Sequence, residues 1–159
     1  MRFEKLPRGI TGFSGRHSRI EAIDPAEFKA AGYHAAIRMK GSVEAFDAEL
    51  HGRNYYALTL RAPSNNHVSV LCNAMYPALG FVAAGAYGFT DLTFVDGAAV
   101  GRIFTEVGSF EVVDVEFLAG DLRPEHISDL APEEVDEIRH WQRNGLASRV
   151  GDVIFNSWD

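Results

Sequence analysis

The spacing of apolar residues changes period several times along the chain, and each change marks an expected element. Asp24-Pro25-Ala26-Glu27 opens a helix. Asp caps it, Pro takes the first helical position where a missing N–H costs nothing, and Glu stands where it reaches back to the cap. Gly32 closes that helix after about two turns, as glycine does at a left-handed cap. From there the period becomes two. Tyr33, Ala35, Ile37 and Met39 alternate with His34, Ala36, Arg38 and Lys40, which predicts a strand with one wet face. Phe46, Ala48 and Leu50 alternate with Asp47 and Glu49 in the next strand, and Tyr56, Leu58 and Leu60 with Ala57, Thr59 and Arg61 in a third. His51-Gly52-Arg53-Asn54 joins them as a hairpin turn. A further strand from His67 to Cys72 puts Val68, Val70 and Cys72 on one side. Strands this closely connected pair antiparallel, because a parallel pair needs a crossover of about a dozen residues.

The stretch NAMYPALGFVAAGAYGF, residues 73–89, fits either a buried strand around Phe81-Val82 or a loop folded over the sheet. Thr90 to Val95 reads as a strand. Val100, Ile103, Phe104 and Val107 fall at helical spacing and predict an amphipathic helix over 97–107. Phe110 to Val113 is a short strand, and Leu118 to Leu130 a connection. Pro132 starts a helix with Glu133, Glu134 and Glu137 toward its positive end and Arg139 and Arg143 toward its negative end. Val135, Ile138, Trp141 and Leu146 form one apolar stripe, and Val150, Val153, Ile154, Phe155 and Trp158 a second, in a last helical segment. Neither stripe is stable in water, so both tryptophans are expected to face inward. The architecture predicted is α+β: an antiparallel meander sheet of about five to six strands, helices packed on one face, and C-terminal helices closing the core.

Composition narrows the classes. With 159 residues, 47% of them hydrophobic, the chain has apolar material for one core, and residues 1–159 are read as a single domain. Gly9, Gly12 and Gly15 with Arg8, Arg16 and Arg19 mark residues 1–20 as a flexible basic arm. Its G-x-x-G-x-x-G spacing is not that of a P-loop, and GFSGR is not a nucleophile elbow. No run approaches the roughly 18 apolar residues of a membrane span, and MRFEKLPRGITGF lacks an apolar leader, so a cytoplasmic protein without membrane association is expected. Cys72 has no cysteine to pair with.

Charge is divided unevenly. Residues 1–80 carry ten Lys/Arg against seven Asp/Glu, and residues 81–159 carry five against fifteen. Between 106 and 137 eleven acids face one base, Arg123. Such a field repels nucleic acid and attracts basic protein, though a solvated, solubilising face has the same composition.

Candidates for chemistry are few. No two of the histidines are three or four residues apart, so no local metal pair exists, and neither metal nor cofactor is expected. Cys72 with His67 or His34 would make a thiol–imidazole pair, but Cys72 shares strand parity with Val68 and Val70 and reads as a buried thiol. Asp47 and Glu49 lie on one strand face, where alternating acids are ordinary.

The I-R-H-W at 138–141 followed by G-D-V-I-F-N-S-W-D at 151–159 is similar to the tail of a group of small bacterial proteins that accompany polymorphic toxins as immunity proteins. L-C-N at 71–73, Y-P-x-L-G-F-V at 76–82 and F-E-V-V-D at 110–114 extend the resemblance over the second half of the chain. It departs at Gln142-Arg143, where the group has Lys-Pro, and at Ala131, where it has Ser or Thr. The resemblance implies a binding protein that occludes a co-expressed toxin domain, for example a basic nuclease, with no catalytic residues. The acidic belt then supplies the contact residues Glu133, Glu134, Asp136, Glu137, Glu116 and Asp121. Two other classes remain in view: an enzyme or small-ligand module with a pocket lined by Tyr33, Tyr55, Tyr76 or Tyr87, and a module assembling through an unpaired sheet edge.

Overall fold

The computed structural model describes residues 1–13, 21–63 and 67–158. A five-stranded sheet runs through the middle in chain order, from β1 (Ser42–Asp47) through β2 (Tyr55–Arg61), β3 (His67–Asn73) and β4 (Ala78–Ala83) to β5 (Glu111–Val112). β1 to β4 form an antiparallel meander, in which β2 and β3 are the strands expected at 56–61 and 67–72, while β1 ends at Asp47 where a strand was expected from Phe46 to Leu50. β5 instead lies parallel to β4, so the sheet is mixed. The connection between them contains the helix α2 (Ala98–Val107), the crossover that parallel pairing requires. Residues 73–89, open between strand and loop, contain β4. Thr90 to Val95 makes no strand: Phe94 forms one isolated bridge to Val82.

The first helix, α1, runs from Pro25 to Arg38, well past the expected stop. Asp24 caps it by accepting from the Ala26 N–H at 2.9 Å. Gly32 lies mid-helix because α1 crosses β2 there: a Cβ on it would stand 2.3 Å from Leu58 Cδ1. The period-two pattern from Tyr33 to Lys40 is therefore incidental. The periodicity that decides is Phe28, Ala31, Gly32, Ala35 and Ala36, the buried face of a helix.

Helices cover both faces of the sheet, where one covered face was expected. Tyr56, Leu58, Leu60, Val70, Cys72, Leu79 and Phe81 point to α1 and α2 and pack with Phe28, Phe104 and Phe110. A bulge between Val43 and Ala45 brings Val43 and Phe46 onto this same side. Tyr55, Ala57, Leu71, Ala78 and Val82 point the other way, toward α3 (Val115–Ala119), α4 (Pro132–Arg143), α5 (Val150–Ile154) and residues 3–13. Leu6, Ile10 and Thr11 have no exposed surface, so residues 1–13 belong to the core rather than to a loose arm. The remainder of the arm, 14–20, lies outside the described residues. Gly80 is bare so that Phe155 of the tail rests on β4, its Cε2 only 2.7 Å from where a Cβ would be.

The tail closes the core through aromatic stacking and a buried polar clasp. Trp158 is sandwiched between Phe13 and Trp141, with ring centroids 6.1 Å and 6.0 Å away. It is buried, while Trp141 is half-buried with its indole N–H donated to Glu137 at 2.8 Å. Beside the stack, Asn54 donates to the carbonyls of Ile10 and Ile154 at 2.8 and 3.0 Å, and Asn73 donates to the same two at 2.9 and 2.7 Å. Asn156 donates its side-chain amide to Thr11 and its backbone N–H to Asn54 Oδ1. Three asparagines thus bind both ends of the chain to the sheet and satisfy carbonyls that would otherwise be buried unpaired.

Candidate protein-binding surface

Folding separates the acids that share a stretch of sequence. α4 carries Glu133, Glu134, Asp136 and Glu137 on different sides. Glu133 and Asp136 are exposed, and among the described residues neither takes part in an ion pair. Glu137 is half-buried, one oxygen occupied by Trp141. Glu134 points inward with no exposed surface and is corrected out of the contact set. Its Oε1 accepts from the N–H groups of Gly9 and Thr11 at 2.9 and 3.3 Å and from the Thr11 hydroxyl at 2.6 Å, while Oε2 accepts from the Ala131 N–H at 2.9 Å. Every group facing it is a donor, which suits an acceptor-only carboxylate at a helix N-terminus. That last bond also caps α4, whose N-cap residue, Ala131, has no side-chain acceptor of its own.

The other two predicted contacts stand elsewhere. Glu116, on α3, is exposed and lies 3.4 Å from Arg2. Asp121 is exposed in the turn after α3, where its backbone bridges to Arg149. The division between a basic first half and an acidic second half is also narrowed in space. The terminal ammonium and Arg2 meet Asp114, Lys5 meets Asp129 at 3.6 Å, and Arg38 meets Glu106. The Asp114 carboxyl is held below its ordinary range, first by the hydrogen bond from the terminal amine and then by Arg2. Glu106 is lowered in the same way by Arg38. Between 106 and 137, Glu111, Asp121, Glu125, Glu133 and Asp136 are the exposed acids without an ion-pair partner among the described residues.

The alternative chemistries come apart on geometry. Cys72 is buried, its thiol directed to the Asn73 carbonyl at 3.5 Å, and burial pushes the thiol far up from its ordinary value. His67 pairs instead with Glu44, and His34 is exposed on α1. Asp47 is engaged by Arg53 at 2.9 Å and Glu49 by His51 at 3.0 Å. Tyr33 stands on the outside of α1, on the far side of the sheet from Tyr55, Tyr76 and Tyr87, so the four tyrosines line no common pocket. Among the described residues no cluster of three or more His, Cys, Asp or Glu could hold a metal, and no helix is long and apolar enough to cross a membrane.

One group stands out that the sequence shows only as part of a turn. Arg53 has 9% of its side chain exposed, and its guanidinium lies 5.2 Å from the Tyr55 ring and 5.5 Å from the Tyr87 ring. Nη2 is close enough to Asp47 for an ion pair but poorly angled for a hydrogen bond, and Nε has no partner among the described residues. The Tyr55 hydroxyl accepts from the Gly88 N–H at 2.8 Å. The cation therefore pins loop 84–90 over the sheet, with its charge compensated by Asp47 and the two rings. Comparisons with protein-family models, curated proteins and solved structures give no match to this chain.

Proposed function

We propose that the protein is an immunity protein: it binds a co-expressed bacterial toxin domain in the cytoplasm of the producing cell and covers its active or substrate-binding surface. The observation that carries this reading is the outer face of α4, where Glu133 and Asp136 project uncompensated from a helix fixed beneath by Glu134, Ile138 and the Trp141–Trp158 stack. Unpaired carboxylates on a helix held in place steer a basic partner toward it. Glu137, bonded to Trp141, and Glu116, beside Arg2, serve with Asp121 as the rim. The resemblance to toxin-associated immunity proteins supports the class and not the partner, because Asn73, Trp141, Asn156 and Trp158 of the shared stretches are all spent on the clasp and the stack.

The test has two stages. The product of a neighbouring reading frame should arrest growth alone and be neutralised when this chain is co-expressed; absence of neutralisation rejects the class. With the pair in hand, Glu133→Lys with Asp136→Lys should slow association about tenfold or more at low salt and flatten its salt dependence, leaving the melting temperature unchanged. An unaltered rate rejects the placement on α4.

A further inference from the structure

We infer that the protein self-associates as a symmetric dimer, two copies of α1 packing antiparallel through their outer faces. This is independent of the toxin-binding reading and uses the opposite side of the sheet. α1 is apolar on both sides: Phe28, Ala31, Ala35 and Ala36 are buried inward, while Ala26, Ala30, Tyr33 and Ile37 are exposed outward. Ile37 is 76% exposed and Tyr33 49%, the two largest values among the big apolar side chains apart from Phe89 at 50%. Surface patterning gives no reason for such a stripe on a solvated helix, whose outer face is ordinarily polar.

The occupant follows from the spacing. The stripe advances by four, three and four residues, the seam of a coiled coil, and it reads the same in both directions. A twofold axis between residues 31 and 32 sets Ala26 against Ile37 of the second copy and Ala30 against Tyr33 of the second copy. Each large side chain then meets a small one, and no layer places two large or two small residues together. The same axis brings Glu27 of one copy beside His34 of the other, twice. These residues lie on the same flank of the stripe, and both are exposed. The flank is open, a hollow of about 390 Å³ lined by Ala30, His34, Val107 and Phe110. The helix is also held rigid from beneath by the Arg38–Glu106 pair and by Lys29 over Phe46, so little ordering is required on association. Fourteen residues of helix span about 21 Å, which is short for a stable interface, so the dimer is weak and concentration-dependent.

Sedimentation velocity on the full chain from about 5 µM to about 1 mM should show a monomer–dimer equilibrium. A monomer throughout overturns the proposal. Tyr33→Asp or Ile37→Asp, checked by circular dichroism for an unchanged fold, should raise the dissociation constant at least about thirtyfold. A dimer that survives both forms elsewhere, for example at the free edge of β1, and overturns it equally. Glu27→Arg and His34→Glu should each weaken the dimer about threefold to tenfold, and the double variant should restore it. Residues 27 and 34 are too far apart along one helix to compensate each other, so absence of rescue rejects the antiparallel register.

Discussion

Glu134 sits one turn into α4 with four donors around its carboxylate, from the loop at Gly9 and Thr11 and from the start of its own helix. Glu134→Ala leaves those donors buried and unsatisfied, and should cost about 3 to 5 kcal/mol in urea denaturation. Glu134→Gln should recover only part of this, because its amide turns a donor toward donors. The neighbouring Glu133→Ala should be nearly neutral, and that contrast is the check. The sequence places all these acids correctly at the positive end of a helix. It does not say which one faces inward, because that depends on a loop more than a hundred residues away. Asn54, Asn73 and Asn156 are hidden for a similar reason: two of them lie in stretches shared with the resembling family, yet only the folded chain brings Asn54 and Asn73 to the same two carbonyls and Asn156 to Asn54.

At the level of elements, Gly32 decides where α1 lies. Ala is the better helix former by about 1 kcal/mol, so Gly32→Ala in isolation should stabilise the helix. Here the added methyl would press on Leu58, which is fully buried and has nowhere to turn, so the variant should instead lose about 1 to 2 kcal/mol by denaturant midpoint. Restored stability in Gly32→Ala with Leu58→Val would confirm the contact. The same glycine explains what was legible and what was not. Strands β2 and β3, α2 and α4 follow from period and capping, since their signals are local. A mid-helix glycine beside an alternating run looks like a stop followed by a strand, and only the crossing of β2 gives it another meaning. The parallel seat of β5 is likewise fixed by its partner strand rather than by its own few residues.

For the molecule as a whole, the covered second face and the closing of the ends matter most. The terminal ammonium and Arg2 hold Asp114, whose carboxyl is depressed below its ordinary value of 3.8. A depressed carboxyl stabilises the folded state fully above its ordinary value and loses that contribution as the pH falls through the depressed one. Asp114→Asn should therefore lower the melting temperature at neutral pH by less than about 3 °C, since the site is exposed and screened. The gap from the parent should close under acid below pH 3.8; a gap constant across that range would contradict the assignment. Charge balance across the fold also explains why a strongly divided sequence does not make a uniformly acidic half: bases from the first forty residues sit on acids of the second half.

The asparagine clasp has a consequence for synthesis. Asn54 and Asn73 are translated in the first half of the chain, but one of the two carbonyls they share belongs to Ile154, and Asn54 also waits for the Asn156 amide. A nascent chain on the ribosome cannot complete this core until residues 154–156 have left the exit tunnel, so the clasp is among the last contacts to close. Until then the inner face of the meander lacks the segments that cover it, and its apolar side chains stand exposed.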